Sequence, residues 1–522
     1  MPIRMVDDEN QGNDYNPNQG GGGSNTGGGG NLGGGKGCAA FLPLIISFVL
    51  KKPKIAIPLL LIGGAIYFFS SGIIGGGGNS SVENLLSTGA DLDVTQYDKA
   101  SVYAATEAGT SGGPALPEFV SLEKYAPQRL NQGSQGSCVG WGSSYAARTI
   151  LESIASGQNP DDIAFSPSFV YNNIGFRDCQ GSYINKACDF MQTYGDVALK
   201  NFSYDENSCS RKPSTELLQH AQNFKIRGAE RLSVDGDDYA TDFYAIKQHL
   251  ANGSPVICGM LVGGTFMSEM YGQKLWQPSN RDYDMQGFGG HCMCIIGYDD
   301  RLAGGSFQIM NSWGPEWGDN GIAWVRYEDF MHFNKEAYAL YPLPKKGSAA
   351  ATKFACAIGL VNNSTKQYIP LQNNGNLFTS QPVAKGTKFK IEVQNTVECY
   401  TYIFGQETDG SSYVLFPYTA KHSPFCGVTG YRLFPKSQSL MADDIGNKDF
   451  MAIVVTKEAI DYNQLNSAIN KANGDYRSKV QQALGNAQVS NVVYQAKDNR
   501  ILFQAQTNET KAVAVVVEIN KQ

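Results

Sequence analysis

Residues Asn131 to Ser144 read NQGSQGSCVGWGSS and set a single cysteine, Cys138, at the head of a helical pattern. Ala147, Ile150, Leu151 and Ile154 recur at i, i+3, i+4 and i+7, the spacing of one buried helix face. Gly157 follows where a helix end takes a left-handed residue. A thiol at a helix N-terminus meets unpaired N–H groups and the positive end of the helix dipole, which favour thiolate. Gln132 lies six positions earlier, with glycines between that let backbone approach closely. A nucleophile beside an oxyanion donor fits this stretch, and so does a small, buried, inert cysteine.

The chain around this stretch is long, 522 residues, so two or more domains are expected. Hydrophobic residues make up 42% and charged residues 17%, enough apolar material for folded cores, and the net charge of −6 gives no reason to expect nucleic-acid binding. Residues 1–37 form a Gly/Asn-rich tail with too little apolar content for a core, read as disordered. Residues 38–75 read as a membrane anchor. Cys38 to Leu50 is a short apolar run, and after Lys51-Lys52-Pro53-Lys54 an uncharged run begins at Ile55 and continues past Gly75. A bilayer needs roughly 20 apolar residues, so one transmembrane helix is expected at about 55–75, with 38–50 interfacial or pairing with it as a short hairpin. A cleaved signal peptide fits poorly behind a glycine-rich tail. Lysines on the N-terminal side predict a cytoplasmic N-terminus and an extracytoplasmic bulk.

Residues 76–113, rich in Gly, Ser, Ala and Thr, read as a linker, although Ser81 to Ala100 carries a weak helical pattern. From 114 to 345 a helix-rich half precedes a strand-rich half, the pattern of an α+β domain of two lobes with a cleft between them. Pro255–Val262, His291–Gly297, Ser306–Met310 and Ile322–Tyr327 are its expected strands. Residues 353–522 are β-rich. Lys388 to Gln394 alternates strictly, Tyr400–Gln406 and Ser412–Phe416 flank a hairpin turn at Asp409-Gly410, and Tyr462 to Leu484 looks helical, together predicting a β-sandwich with one helix.

A cysteine nucleophile needs a base, a group to orient that base, and oxyanion donors. Of five histidines only His291 opens an apolar strand after a Gly-Gly pair, a placement at the rim of a cleft. Asn311 ends a strand 20 positions on, where its side-chain carbonyl can accept the imidazole N–H, with Trp313 to shield that bond from water. A structural histidine is the other reading of His291. Cys292 and Cys294 beside it match no common zinc spacing, so no metal is expected, and nothing calls for a cofactor.

Together these residues resemble the papain-like family of cysteine peptidases, of bacterial type. Asn131–Ser144 is similar to its nucleophile segment, His291 followed by Gly297-Tyr298 to its histidine segment, and NSWG at 311–314 with Trp317-Gly318 and Asn320-Gly321 to its asparagine segment. Leu116–Val120 resembles the mature N-terminus and Tyr338–Pro344 the closing strand. The resemblance implies a two-lobed fold, a helical left lobe against a β-barrel-like right lobe. It implies Cys138 as nucleophile, His291 as base then acid, Asn311 as orienter, and Gln132 with the Cys138 N–H as oxyanion hole. It further implies a resting thiolate–imidazolium pair acting on protein or peptide substrates. Gly181 and Ser182 correspond to the loop that pairs with extended substrate, and Gly259 and Gly290 to the wall of the main side-chain pocket; Trp313 is counted with these substrate-binding residues.

Three departures stand out: Val139 follows the nucleophile in place of tryptophan, Gln135 replaces a disulfide cysteine, and the stretch before residue 115 is too short for the long inhibitory propeptide of animal and plant relatives. Six cysteines are left for disulfides, and Cys179–Cys209 and Cys399–Cys426 are the pairings put forward. Residues 353–522 resemble a bacterial β-rich module of unknown function, with partner or cell-wall binding as a candidate role. The expected protein is a membrane-anchored cysteine endopeptidase. A catalytically idle papain-like binding module and a cell-wall peptide amidase are the alternatives.

Overall fold

The helix behind Cys138 is the spine of the first domain. In the computed structural model, which describes residues 3–7, 88–104, 115–234, 238–343, 353–374, 377–436, 438–506 and 511–522, it runs Cys138–Gly140, widens to i→i+5 bonding over Trp141–Arg148, and resumes as Thr149–Ser156. It stops at Gly157, φ 72°, as the sequence suggests. Every residue from Cys138 to Leu151 is buried, so its polar members Ser143, Ser144 and Arg148 are buried with the apolar face. Ser144 Oγ–H donates to Asp196 Oδ2 at 2.7 Å and Arg148 pairs with Glu152 at 2.9 Å. Helices Pro167–Ile174 and Ile184–Thr193 pack around this spine.

The strand-rich half is a ten-stranded sheet, counted among the described residues. Its central strand, Gly289–Asp299, pairs antiparallel with Val256–Val262 on one side and Ser306–Met310 on the other. Ile322–Arg326 continues the sheet beyond Ser306–Met310, and Asn334–Pro342 and Ile226–Arg231 extend it the other way. The pairings form an open path from His422–Ser423 to Leu275–Trp276. Val256–Val262 and Gly289–Asp299 are buried on both faces, which is why they read as continuous apolar runs.

Residues 353–522 form two sheets packed face to face, with Phe389, Ile391, Val393 and Phe503 of one meeting Ile403, Ile453 and Val515 of the other. The predicted single helix is two, Tyr462–Lys471 and Tyr476–Leu484. The break falls at Gly474, φ 101°, after which Asp475 caps the second helix by accepting from Ser478 N–H. Both helices lie on the outer face of the second sheet, where Leu465, Ile469 and Val480 meet Tyr402 and Val454. The alternating strand Lys388–Asn395 buries its polar face too: Glu392 is 0% exposed and paired with Arg500 at 3.0 Å.

Three expectations change. Ile3–Asp7, inside the expected disordered tail, is a strand antiparallel to Gln438–Ala442 in the sandwich, with Ile3 fully buried. Within the expected linker, residues 88–104 are ordered: Tyr97, Val102 and Tyr103 are buried, apolar groups hidden among small residues in the composition. Cys179–Cys209 is a disulfide, whereas Cys399 and Cys426 are free thiols facing each other across two paired strands, and Cys188 and Cys356 are free and buried. The apolar runs 38–50 and 55–75 lie outside the described residues, and no helix among the described residues is long and apolar enough to cross a membrane.

The sandwich docks on the first domain through buried groups: the rings of Tyr341 and Phe425 lie 5.0 Å apart, Arg227 pairs with Glu398 at 2.7 Å, and Gln248 Nε2–H donates to Tyr431 O. Removing one partner of a buried pair leaves an uncompensated charge, so Arg500→Met is expected to cost about 3 kcal/mol in denaturant unfolding at pH 7. Glu392→Gln in that background should recover much of the loss.

Candidate active site

Cys138 is the first residue of its helix and is 0% exposed. The preceding Ser137 gives the helix no side-chain cap; its Oγ lies 2.7 Å from Tyr204 Oη instead, and Tyr204 O–H donates to Gln132 O. The Cys138 sulfur accepts from Cys292 N–H at 3.4 Å. Burial nevertheless dominates and pushes the thiol up to about 12.

His291 sits at the start of the central strand, opposite Met260 and one residue before the Cys292 that reaches the sulfur. Asn311 directly follows Ser306–Met310, the neighbouring strand, so sheet pairing brings the two side chains together. His291 Nε2 lies 2.7 Å from Asn311 Oδ1, and that oxygen also accepts from Ser312 N–H at 2.7 Å. An amide oxygen only accepts, so Nε2 carries the proton and the lone pair is on Nδ1, which has no partner. Trp313 stacks on the imidazole, centroids 4.4 Å apart and planes 22° apart, and is itself backed by Trp317 and Phe266. Burial pulls His291 down to about 4 against the Asn311 hydrogen bond. Another buried histidine, His249, is wedged between Ala245 O and Tyr341 Oη, away from these groups, and burial lowers it to about 3.

Gln132 is fully buried and tied to the asparagine loop. Its N–H donates to Ser312 O, and its Oε1 accepts from Ser312 Oγ–H at 2.6 Å. Nε2–H donates to Gln135 O at 2.9 Å, and the amide has one hydrogen beyond that bond. A group held this way can donate to charge developing near the head of the Cys138 helix.

The cleft is occupied by the chain itself. Residues Thr88–Leu92 run past Cys138, with Ala90 bridged in parallel to Ser182. Gly89 and Ala90 N–H both donate to Gly290 O, Asp91 N–H to Ser182 O, and Ser182 N–H to Gly89 O. The slot admits little beyond backbone. A Cβ on Gly89 would stand 2.2 Å from Gly136 O, one on Gly181 2.6 Å from Gly89 O, and one on Gly290 2.1 Å from Ala90 O. Leu92 fills the space that side chains at Gly259 or Gly290 would take, against Ile184 and beside Glu336. Burial and the nearby Asp91 and Asp93 raise Glu336 to about 8, so a neutral carboxyl borders the leucine. Four of the residues expected to bind substrate, Gly181, Ser182, Gly259 and Gly290, therefore contact this segment, and Trp313 covers His291. Sequence reasoning missed the segment because its contacts are backbone-mediated and long-range; the weak helical pattern over Ser81–Ala100 was its only trace.

Burial favours the neutral form at both residues, the thiol of Cys138 and the imidazole of His291.

A family model for papain family cysteine proteases matches residues 122–343. An uncharacterized peptidase C1-like protein of Acanthamoeba polyphaga mimivirus is 27% identical over 221 residues, 41% of this chain and 68% of that one. A cathepsin B-like protein of Giardia intestinalis is 26% identical over 231 residues, 43% of this chain and 74% of that one. Among solved structures, xylellain, a cysteine protease from Xylella fastidiosa, aligns with 23% identity over 52% of this chain and all of its own, at a TM-score of 0.39. Residues 122–343 are thus a papain-like cysteine protease domain, and the protein is a hydrolase acting on peptide bonds.

The folded-state pKa of His291 and His249 lies below the unfolded value of 6.5, so their contribution to stability is complete above pH 6.5 and is lost as pH falls toward 4 and 3. In ¹⁵N NMR, His291 should stay neutral and protonated on Nε2 down to pH 5; an imidazolium signal at pH 7 would contradict the lowering by burial.

Proposed function

We propose that this papain-like peptidase cleaves peptide bonds through Cys138, His291, Asn311 and Gln132 by way of an acyl-enzyme. The observation that carries the reading is the His291–Asn311 hydrogen bond beneath Trp313, which leaves Nδ1 as the basic nitrogen in the cleft that holds the Cys138 sulfur. When the cleft opens to substrate, Cys138 gives its proton to His291 Nδ1 and the thiolate attacks the scissile carbonyl carbon. The oxyanion accepts from Gln132 Nε2–H and from the Cys138 backbone N–H at the start of its helix. As the C–N bond breaks, the imidazolium delivers its proton to the leaving amine. Water then gives a proton to His291 and attacks the thioester, and the released sulfur takes the proton back. Throughout, Asn311 holds the ring, and Trp313 keeps water from that bond.

Substrate lies along the edge now taken by Gly89–Leu92, its backbone on Ser182 and Gly290 and a side chain in the space beside Gly259. The test is covalent labelling by a peptidyl epoxide. Prolonged exposure should modify Cys138 and no other residue, and Cys138→Ala should abolish both labelling and casein hydrolysis. Asn311→Ala, which frees the ring, should lower kcat/KM about 10²-fold or more. A folded protein with an open cleft and an unreactive Cys138 would overturn the reading.

The apolar runs 38–50 and 55–75 make the chain membrane-associated. Strand pairing of Ile3–Asp7 within the sandwich supports an even number of crossings between them, with both termini on the extracytoplasmic side, in place of a single span with a cytoplasmic N-terminus. Tags at the two ends should therefore be equally accessible from one side of sealed vesicles; protection of one tag alone would restore the single-span topology.

A further inference from the structure

We infer that the C-terminal sandwich is the latch that keeps residues 88–104 lodged in the catalytic cleft, and so holds the peptidase latent. This rests on the reading of Cys138 above only for one of its two readouts.

The segment has two ends with different partners. At the first end, Gly89 to Leu92 fills the cleft, where Gly89 and Ala90 N–H donate to Gly290 O and Asp91 N–H donates to Ser182 O. Between the ends, the short helix Val94–Tyr97 buries Tyr97, whose O–H donates to Ala337 O. At the second end, Val102–Tyr103 is a strand inserted between the two domains. It pairs in parallel with Arg231 of the peptidase strand Ile226–Arg231 and with His422–Ser423 of the sandwich. Val102 N–H donates to Lys421 O at 2.8 Å, Lys421 Nζ pairs with Asp98 at 2.8 Å, and the Arg432 guanidinium lies 4.6 Å over the Tyr103 ring. Tyr103 O–H reaches back to Gln248 of the peptidase, and Ala104 enters the sandwich core.

One strand therefore completes the docking of the sandwich, and the same few residues continue into the cleft. A free-energy coupling between two sites is reciprocal, so loosening the sandwich's hold on Val102–Tyr103 loosens the cleft, and filling the cleft with substrate weakens that hold.

The experiment uses the full chain with two readouts, hydrogen exchange of amides 88–104 and the rate at which a peptidyl epoxide labels Cys138. Two variants act at the cleft, Gly89→Val, which collides with Gly136 O, and Leu92→Asp, which places a charge beside Glu336. Two act at the latch, Val102→Pro, which removes the N–H donated to Lys421, and Lys421→Glu, which repels Asp98 and touches only a partly exposed side chain. Labelling scales with the fraction of molecules whose cleft is open, and all four should raise it by about tenfold or more over the parent. In Val102→Pro and Lys421→Glu the amides of Gly89 to Asp91 should also lose protection, although neither substitution is in the cleft.

A parent chain that labels as fast as Gly89→Val would overturn the proposal, since its cleft would be open already. Fast labelling in the two cleft variants with parental labelling and parental exchange at 89–91 in both latch variants would also overturn it, because the sandwich would then have no hold on the segment. If exchange opens as expected in all four but Cys138 stays unlabelled, the latch stands and the nucleophile reading of Cys138 fails.

Discussion

The register of the strand Gly289–Asp299 is the constraint on which the site depends. Pairing with Val256–Val262 sets His291 opposite Met260 and Gly290 opposite Leu261, and pairing with Ser306–Met310 delivers Asn311 at the end of the next strand. One strand thus supplies the imidazole, the N–H of Cys292 that meets the Cys138 sulfur, and the Gly290 carbonyl that holds the cleft segment. A slip of one residue would send His291 to the opposite face and replace it by Cys292 or Gly290.

The same burial explains why the site is electrostatically quiet in this form. A thiolate and an imidazolium are each stabilised by water or by each other, and both residues are fully buried. The N–H groups around the sulfur and the Asn311 oxygen on the ring both favour charge, yet desolvation outweighs them at both residues. Burial in this form thus favours the uncharged nucleophile and base.

Much of the site was legible in the sequence because its chemistry is tied to local pattern. Cys138 follows from a helix start, His291 from a strand start after two glycines, and Asn311 from a strand end, and sheet pairing then does what spacing cannot. The stacking of Trp313 on His291 agrees with its reading as a shield. What escaped was set by distant partners. Ile3–Asp7 is a strand only because Gln438–Ala442 offers an edge, and Val102–Tyr103 only because two domains leave a gap between edges. Lys390 and Glu392 alternate like solvent-facing residues yet are buried, since groups from nearby strands of the same sheet cover them: Arg500 pairs with Glu392 and Lys390 Nζ donates to Lys436 O. Cys399 and Cys426 were right as neighbours and are free as thiols.

The glycines of the cleft gain a common reason from the segment they hold. Gly181 and Gly290 come from separate parts of the chain, and a Cβ on either would meet the occupying backbone, as a Cβ on Gly89 would meet Gly136 O from the other side. A slot walled in this way reads an extended chain by its amides and carbonyls, and it leaves side-chain selection to the one widening where Leu92 sits against Gly259 and Ile184. Backbone pairing of this kind is indifferent to sequence, so any extended peptide competes for it. An intramolecular occupant wins that competition through its tether and its second anchor, which raise its effective concentration without a single further contact in the cleft. A weakly selective groove can therefore be kept closed by a segment of only a few residues, provided that its far end is held as firmly as Val102–Tyr103 is between the two domains.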